Sequence, residues 1–559
     1  MSEQKTCKTC SKEFEITSED KEFYEKMQVS EPTNCPECRQ RRRLTWRGER
    51  QLYSRKCDQC GQPIITVFSP DSPYKVYCRD CWWGDKWSAK DTGKEFDFSR
   101  PFFEQFEELL KTTPLLFSWN IYSENSEYNN NVSYLKNCYL LSSSNYDEDS
   151  YYGYFLNDSK NCVDCTSVKK SEYMYECIEC MNCYSLKFSQ SCTNCRDSWF
   201  LQNCVSCSDC FGCIDMHNKQ YCYLNEQLSK EDYEKKIAEF NSGDLNEIKK
   251  QLQLTYEHHL KYPFKYMIGE LNEDVSGNAI YQSKNTHFSF DCIQVEDSKF
   301  CHQMQEAKNC YDIMTWGRPA ELLYDCMAIG ANAYMNKFSA VSQDCSYNAY
   351  CYMCMFSKNL FGCVSMKRGE YCILNKQYSK EEYEELMPKI IEHMKKSGEW
   401  GEFFPSKLSP FAYNEALSND WLPLTKEQAL KMGQKWKDPD KKDYQPQTYQ
   451  VAGDIKSVTE VIVQQILACK NCGKNYKIIP QEFVFYKTYK LPVPEFCPSC
   501  RHIARMKKRN PRHLWHRQCM CSESNHNHEG QCKNEFETTY APDRKEKVYC
   551  EECYQKSII

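Results

Sequence analysis

The sequence predicts a mainly β, multidomain chain. A duplicated parallel β-helix-like solenoid lies between two Cys-rich modules at the ends, with short helices. Three observations lead there. Cys-x2-Cys pairs recur at both ends with the same gaps. The centre is full of Asn, Ser, Tyr and Cys and has no helical period. That central block also repeats itself at an offset of 150. At 559 residues the chain is too long for one ordinary domain, and about three to five are expected. The order read from the sequence is a module over residues 1–115, solenoid plus helix over 120–255, a second such unit over 270–430, a linker over 431–460, and a module over 461–559.

Composition removes several classes. Mean hydropathy is -0.77, and apolar runs such as Val461–Leu467 fall far short of the roughly 20 residues a membrane helix needs. The opening MSEQKTCKTC has no apolar leader pattern, so no secretory signal is expected. The expected compartment is a reducing cytoplasm, where disulfides are rare. With only 19 Gly and no long heptad run, collagen and coiled coil are excluded. The formal net charge of -6 points to no partner class. The outlying number is 39 Cys, so the Cys must be sorted by spacing.

The first module reads Cys7-x2-Cys10-x24-Cys35-x2-Cys38, then x18 to Cys57-x2-Cys60, then x17 to Cys78-x2-Cys81. The last module repeats this as Cys469-x2-Cys472-x24-Cys497-x2-Cys500, then x18 to Cys519, and later Cys532-x17-Cys550-x2-Cys553. An offset of 462 also maps Phe14 to Tyr476 and Pro36 to Pro498, so the ends are an internal duplication. Two thiolates on one tight turn bind one side of a tetrahedral Zn²⁺, and a second turn supplies the other pair. Four quartets and about four zinc ions are therefore expected, in zinc-ribbon or treble-clef-like modules. A full Cys quartet leaves no open position for substrate, so these sites read as structural. The insertion CMCSESNHNHEGQC leaves open whether Cys519 or Cys521 joins Cys532. His526 and His528 are spare ligands there, read as part of a polar loop.

The phrases CKTCSKEFEIT, EPTNCPECRQRRRLTWRGERQLYSRKC, PYKVYCRDCWWGDKW and DFSRPFFEQFEELL resemble a family of uncharacterised zinc-ribbon proteins. The resemblance covers residues 1–112 and, more weakly, 469–553. It implies zinc binding and brings no reaction, substrate or partner.

Between the Cys pairs lie two basic segments. Residues 39–56 carry Arg39, Arg41, Arg42, Arg43 and Arg47 with Trp46; residues 501–517 carry Arg505, Lys507, Lys508, Arg509 and Arg512 with Trp515. Guanidinium groups match phosphate, and aromatic faces stack on unpaired bases. The expected partner is therefore RNA or a ribonucleoprotein. The competing reading is contact with acids of this same chain, since residues 121–228 hold 14 Asp and Glu against 7 Lys and Arg.

In the centre, Asn161-Cys162, Asn182-Cys183 and Asn203-Cys204 recur at a spacing of 21. Spacings of about 18–24 suit one rung of a parallel β-helix. Adding 150 maps Asn182 to Asn332, Cys195 to Cys345 and Phe211-Gly212-Cys213 to Phe361-Gly362-Cys363. Each copy ends in a capping-box pattern, from Ser229 and from Ser379. The run Cys204, Cys207, Cys210 and Cys213 is close to an iron–sulfur ligand spacing, but the second copy has Cys354, Ser357, Leu360 and Cys363. For Cys177, Cys180 and Cys183 the same offset gives Met327, Gly330 and Ala333. That pattern reads as a packed ladder of small or apolar residues, with a cluster in the first copy alone as the remaining alternative. Residues 100–114 read as an amphipathic helix, and His258-His259 as a surface pair on a helix.

No GxxxxGK[ST], GxGxxG or HExxH appears. The reading is a non-enzymatic multi-zinc protein that binds a large partner, with RNA or a ribonucleoprotein first. A protein-interaction scaffold using the solenoid surface is the alternative, followed by an enzyme acting on a polymer in the solenoid groove.

Overall fold

The computed structural model describes residues 2–308, 320–321, 324–329, 334–438 and 443–558. From Asn120 to Gln227, and again over the described residues of 269–377, the chain winds mainly as a parallel β-solenoid. Each rung pairs in parallel with the next, as in Tyr151 with Val163, Val163 with Tyr175 and Cys210 with Cys222. One rung therefore takes the chain from Tyr151 to Val163, a shorter step than the 18–24 that the Asn-Cys spacing predicts.

The reason is a triplet. Asn161, Asp164, Ser167, Lys170, Tyr173 and Glu176 all have φ between 48 and 59°. Each of these residues turns the chain, and the next side chain points inward. Cys162, Cys165, Val168, Ser171, Met174 and Cys177 are all buried. Four triplets close one turn, which makes the coil four-sided. Asn and Asp tolerate left-handed backbone, which explains the Asn-Cys dipeptides. Their spacing of 21 is seven triplets, so it marks different sides of the coil and not successive rungs. Residues such as Tyr173 and Lys170 pay strain in this conformation. The ladder holds them there: Asp164 N–H donates to the Tyr151 carbonyl at 3.0 Å, and Tyr151 N–H to the Cys162 carbonyl at 2.9 Å.

The interior of the first coil admits Leu and Met but no aromatic ring, and Cys is its commonest side chain. The Cys177 Sγ donates to the carbonyls of Tyr175 and Leu186, both at 3.4 Å. Where Ser stands instead, as at Ser189, its Oγ donates to the Lys187 carbonyl at 3.0 Å and accepts from Leu201 N–H at 3.1 Å. Small thiol and hydroxyl groups thus fill the core and also satisfy backbone groups. Cys354, Ser357, Leu360 and Cys363 occupy the same kind of buried position in the second copy. So does Cys326, whereas Met327, one residue on, is buried outside the coil against the N-terminal module; Asn332, Gly330 and Ala333 lie outside the described residues.

Both solenoids end in capped helices. Ser229 caps Lys230–Ala238, and Ser379 caps Lys380–Ser397 with a reciprocal Glu382. A further helix, Leu245–His259, packs on the first copy. His258 is buried, and His259 donates to the Gly212 carbonyl at 3.1 Å, so this pair is not a surface feature. Burial pushes the His259 imidazole down to about 4.

The end modules dock crosswise. The N-terminal module, with its helix Phe102–Thr112, shares a core with the second solenoid through Phe102, Phe106, Trp46, Tyr350 and Phe361. The C-terminal module shares one with the first solenoid through Tyr152, Tyr175, Phe483 and Tyr486. Residues 400–421 bridge the two. Trp400 packs on Phe338 and Tyr350 of the second copy, and Trp421 packs on Tyr154 of the first. Ile455 and Val458, inside the expected linker, are buried against the C-terminal module. Among the described residues no helix is long and apolar enough to cross a membrane.

Candidate metal centres and module interfaces

Each Cys quartet is built the same way. A short antiparallel hairpin carries the first Cys pair on its turn, and a helix N-terminus carries the second. Glu3–Thr6 and Glu13–Ile16 flank Cys7 and Cys10, while Cys35 caps the helix Pro36–Thr45. Tyr53–Lys56 and Pro63–Thr66 flank Cys57 and Cys60, and Cys78 caps Arg79–Trp83. In the last module Cys497 caps Pro498–Lys508, and Cys550 directly precedes Glu551–Ile558.

The structure brings together Cys7, Cys10, Cys35 and Cys38; Cys57, Cys60, Cys78 and Cys81; Cys469, Cys472, Cys497 and Cys500; and Cys519, Cys532, Cys550 and Cys553. Within each group the Sγ atoms lie within 4.8 Å of one another, so each could hold a metal ion. A tetrahedral ion with bonds of about 2.3 Å sets sulfur–sulfur edges of about 3.8 Å. Four cross-pair edges, one per group, are 3.7 Å for Cys10–Cys35, 3.8 Å for Cys60–Cys78, 3.8 Å for Cys472–Cys497 and 4.0 Å for Cys532–Cys550. A disulfide needs about 2.05 Å, and every described Cys is free.

Helix N-termini aim N–H groups at the sulfurs. Cys35 N–H points at the Cys7 Sγ at 3.3 Å, Cys78 at Cys57 at 3.2 Å, and Cys550 at Cys519 at 3.2 Å. Such donors favour thiolate, the form that binds metal. Burial pushes the Cys57 thiol up, but the N–H groups of Cys60 and Cys78 outweigh it and hold it at about 7. At Cys469 the same opposition, with the N–H groups of Cys497 and Cys472, holds it at about 6. The residue that completes the last quartet is Cys519. Cys521 instead converges with His526, His528 and Cys553.

The basic segments face inward. Arg39, Arg41, Arg43, Arg47, Arg505, Arg509 and Arg512 are buried, as is Trp46, in place of the solvent-facing phosphate contacts that the sequence predicts. Arg42 pairs with Asp325 at 2.7 Å and Glu402 at 2.6 Å, and Arg43 with Asp325. Arg41 pairs with Glu37 at 2.9 Å, and Arg47 with Glu49 while donating to Ser143 at 3.0 Å. Arg39 donates to the Asn34 carbonyl at 2.9 Å and lies over the Phe300 ring.

At the other end Arg501 and Arg505 meet Asp164 at 2.8 and 2.7 Å. Arg509 pairs with Glu179 at 2.7 Å and Asp291 at 2.9 Å. Arg512 pairs with Asp291 at 2.7 Å and sits 3.5 Å above the Trp421 ring. Trp46 packs 4.7 Å from Phe404, and Trp515, half-buried, lies 4.4 Å from His513. Only Lys507 and Lys508 of the named set are exposed.

These contacts repeat with the duplication. Arg43 and Arg505 are related by the 462 offset, and each grips a fully buried Asp, Asp325 or Asp164. Both acids occupy left-handed corners, φ 47 and 54°, immediately before an inward Cys. Buried charge is tolerated only when paired, so these are docking clamps between module and solenoid. Sequence reasoning missed the receiving acids. Their only local signal is the dipeptide Asp-Cys, at Asp164-Cys165, Asp291-Cys292 and Asp325-Cys326. Cys521, His526 and His528 were named from the sequence only as an alternative and spare ligands in a polar loop; the structure gathers them with Cys553 into a group of their own.

No known family model matches the chain, and comparison with curated proteins finds no match. The likeness of residues 1–112, and more weakly 469–553, to zinc-ribbon proteins remains a resemblance of sequence, and the Cys clusters are compatible with zinc-binding modules.

Proposed function

We propose that this chain is a non-enzymatic scaffold whose end modules are folded around four zinc ions and which presents its solenoid surface to a protein partner in a reducing cytoplasm. One observation carries the choice of partner: the arginines suited to phosphate pair with the chain's own carboxylates. Phosphate binding depends on free cations. Four thiolates at tetrahedral edges suit zinc, which folds such modules outright. Tyr122, Tyr134 and Tyr146, 68, 47 and 58% exposed, stack at 5.2 and 4.8 Å up one side of the first solenoid. Exposed Tyr is enriched where proteins bind proteins, because it adds contact area with little entropy to lose.

A second reading, contact with RNA or a ribonucleoprotein, rests on exposed Lys507 and Lys508 and half-buried Trp515 in the same basic segment. The two separate in one experiment. The zinc-loaded protein is titrated with RNA and duplex DNA across a salt series. It is also used for capture from cell extract with nuclease present, beside a Y122S/Y134S/Y146S variant. The scaffold reading expects no salt-steep nucleic-acid binding and a nuclease-resistant partner that the variant loses. Salt-steep RNA binding abolished by K507E/K508E would replace it with the second reading.

A further inference from the structure

The two halves of the duplication differ at one chemically active place. Cys57 maps to Cys519 at an offset of 462, but Cys60 maps to Cys532 at 472, so the chain is longer by ten between the first Cys pair. The insertion carries Cys521, His526 and His528. Its polar residues, Ser522 to Asn525, are exposed, yet His526 is only 6% exposed and Cys521 is fully buried.

We propose that the C-terminal module holds a fifth divalent metal ion, zinc or a close relative, in a two-metal centre bridged by the Cys553 thiolate. Cys519, Cys532, Cys550 and Cys553 hold one ion; Cys521, His526, His528 and Cys553 hold the other. The inference rests on the quartet reading above.

The geometry supports each ligand. The four donor atoms of the second group lie within 4.8 Å of one another, and Cys553 belongs to both groups. The Cys553 Sγ and His528 Nε2 are 3.5 Å apart, and the Cys521 Sγ and His526 Nδ1 are 3.0 Å apart. A tetrahedral zinc site sets sulfur–nitrogen edges of about 3.6 Å. The first distance fits directly, and the second has to open slightly. His528 is also oriented from behind: its Nδ1–H donates to the Gly530 carbonyl at 2.9 Å. That bond fixes the tautomer, leaving Nε2 with a lone pair toward Cys553, which is how metal-ligating imidazoles are held. Gly530 at φ 65° supplies the turn that brings the carbonyl round. Cys521 is held in place as its carbonyl accepts from Cys532 N–H at 2.9 Å.

Charge favours the pair as well. A single zinc with four thiolates carries a net charge of -2. Two zinc ions with five thiolates and two neutral imidazoles carry -1, which is less costly to bury. The N-terminal counterpart, Cys57, Cys60, Cys78 and Cys81, includes no such ligands in its group.

The test is metal content per chain by elemental analysis, on full-length protein purified under reducing conditions. The parent should hold five ions, H526A/H528A four, and C57S/C60S four as a control in the other module. A parent at four whose histidine variant also holds four overturns the two-metal centre and leaves the quartets intact. A parent at four whose histidine variant falls to three also overturns it, because one ion then uses the histidines in place of the quartet. A parent below four sinks the quartet reading itself. Cadmium-substituted parent gives a readout that needs no variant. A shared thiolate couples two cadmium nuclei to each other in ¹¹³Cd resonance spectra, and absence of that coupling contradicts the bridge. Two ions on one thiolate stand at most about 4.6 Å apart, a distance that X-ray absorption resolves.

Discussion

The two end modules are copies of one device, and they agree and differ in different layers. Both place a Cys quartet at a hairpin turn and a helix N-terminus, and both drive an arginine from that helix into a buried Asp of a solenoid. They differ in the second quartet, where only the C-terminal copy carries the Cys and His insertion. Duplication has therefore kept the docking contact and the quartets while the loop between two ligands was free to acquire new chemistry. Loops at a knuckle tolerate insertion because they face solvent. A clamp that buries charge on both sides tolerates little.

The largest expected effect tests whether the two clamps are equivalent. D164A removes the buried carboxylate that Arg501 and Arg505 share, leaving them Glu482 and Glu176, and D325A removes the one that Arg42 and Arg43 share, leaving Arg42 with Glu402. Breaking one side of a buried pair costs about 3–5 kcal/mol, so both variants should lose that much in denaturant unfolding. A silent D325A beside a damaging D164A would break the comparison.

Metal removal should separate the modules from the solenoid. A strong chelator is expected to open residues 1–115 and 461–559 to protease while the β signal of the solenoid persists, since among the described residues the candidate metal groups lie in the end modules. Simultaneous loss of both would show that the modules hold the solenoid together.

Cysteine substitutions sharpen the contrast between ligand and core. C57S should lose one ion. C204S should lose none and cost about 1 kcal/mol, because Ser already fills equivalent inward positions such as Ser189 and Ser198.

A smaller effect is acid sensitivity in the N-terminal clamp. Burial alone would raise the Glu402 carboxyl, but Arg42 and Thr33 outweigh it and hold it at about 2. A lowered folded value gives stability that is complete above the ordinary carboxylate range and lost as pH falls toward 2. E402Q should flatten the fall in melting temperature between pH 5 and about 2.5 relative to the parent. An unchanged slope would place that sensitivity elsewhere.

The quartets were legible in the sequence because metal geometry acts through local spacing: the x24, x18 and x17 gaps recur in both modules. The solenoid was legible as a class, but its rung was not. Left-handed corners occur at Tyr173, Lys170 and Phe200 as well as at Asn, so the period of three hides behind residues with no turn signature. The basic segments were legible as charge, but their direction was not. Arg43 and Asp325 are 282 residues apart in sequence, and Arg505 and Asp164 are 341 apart. Nothing within residues 39–56 distinguishes an arginine awaiting phosphate from one awaiting a distant Asp. The excess of acids over bases in residues 121–228 hinted at it for Asp164, and the Asp-Cys dipeptides did for Asp291 and Asp325.

The most direct test of the clamp is a double-mutant cycle on Arg505 and Asp164, read by denaturant unfolding. R505M and D164L should each destabilise strongly, and the double variant should recover part of the loss, since Arg501 still lacks Asp164, with a coupling of at least about 2 kcal/mol. Additive losses, with no recovery in the double variant, would contradict the claim that these arginines dock the modules onto the solenoid.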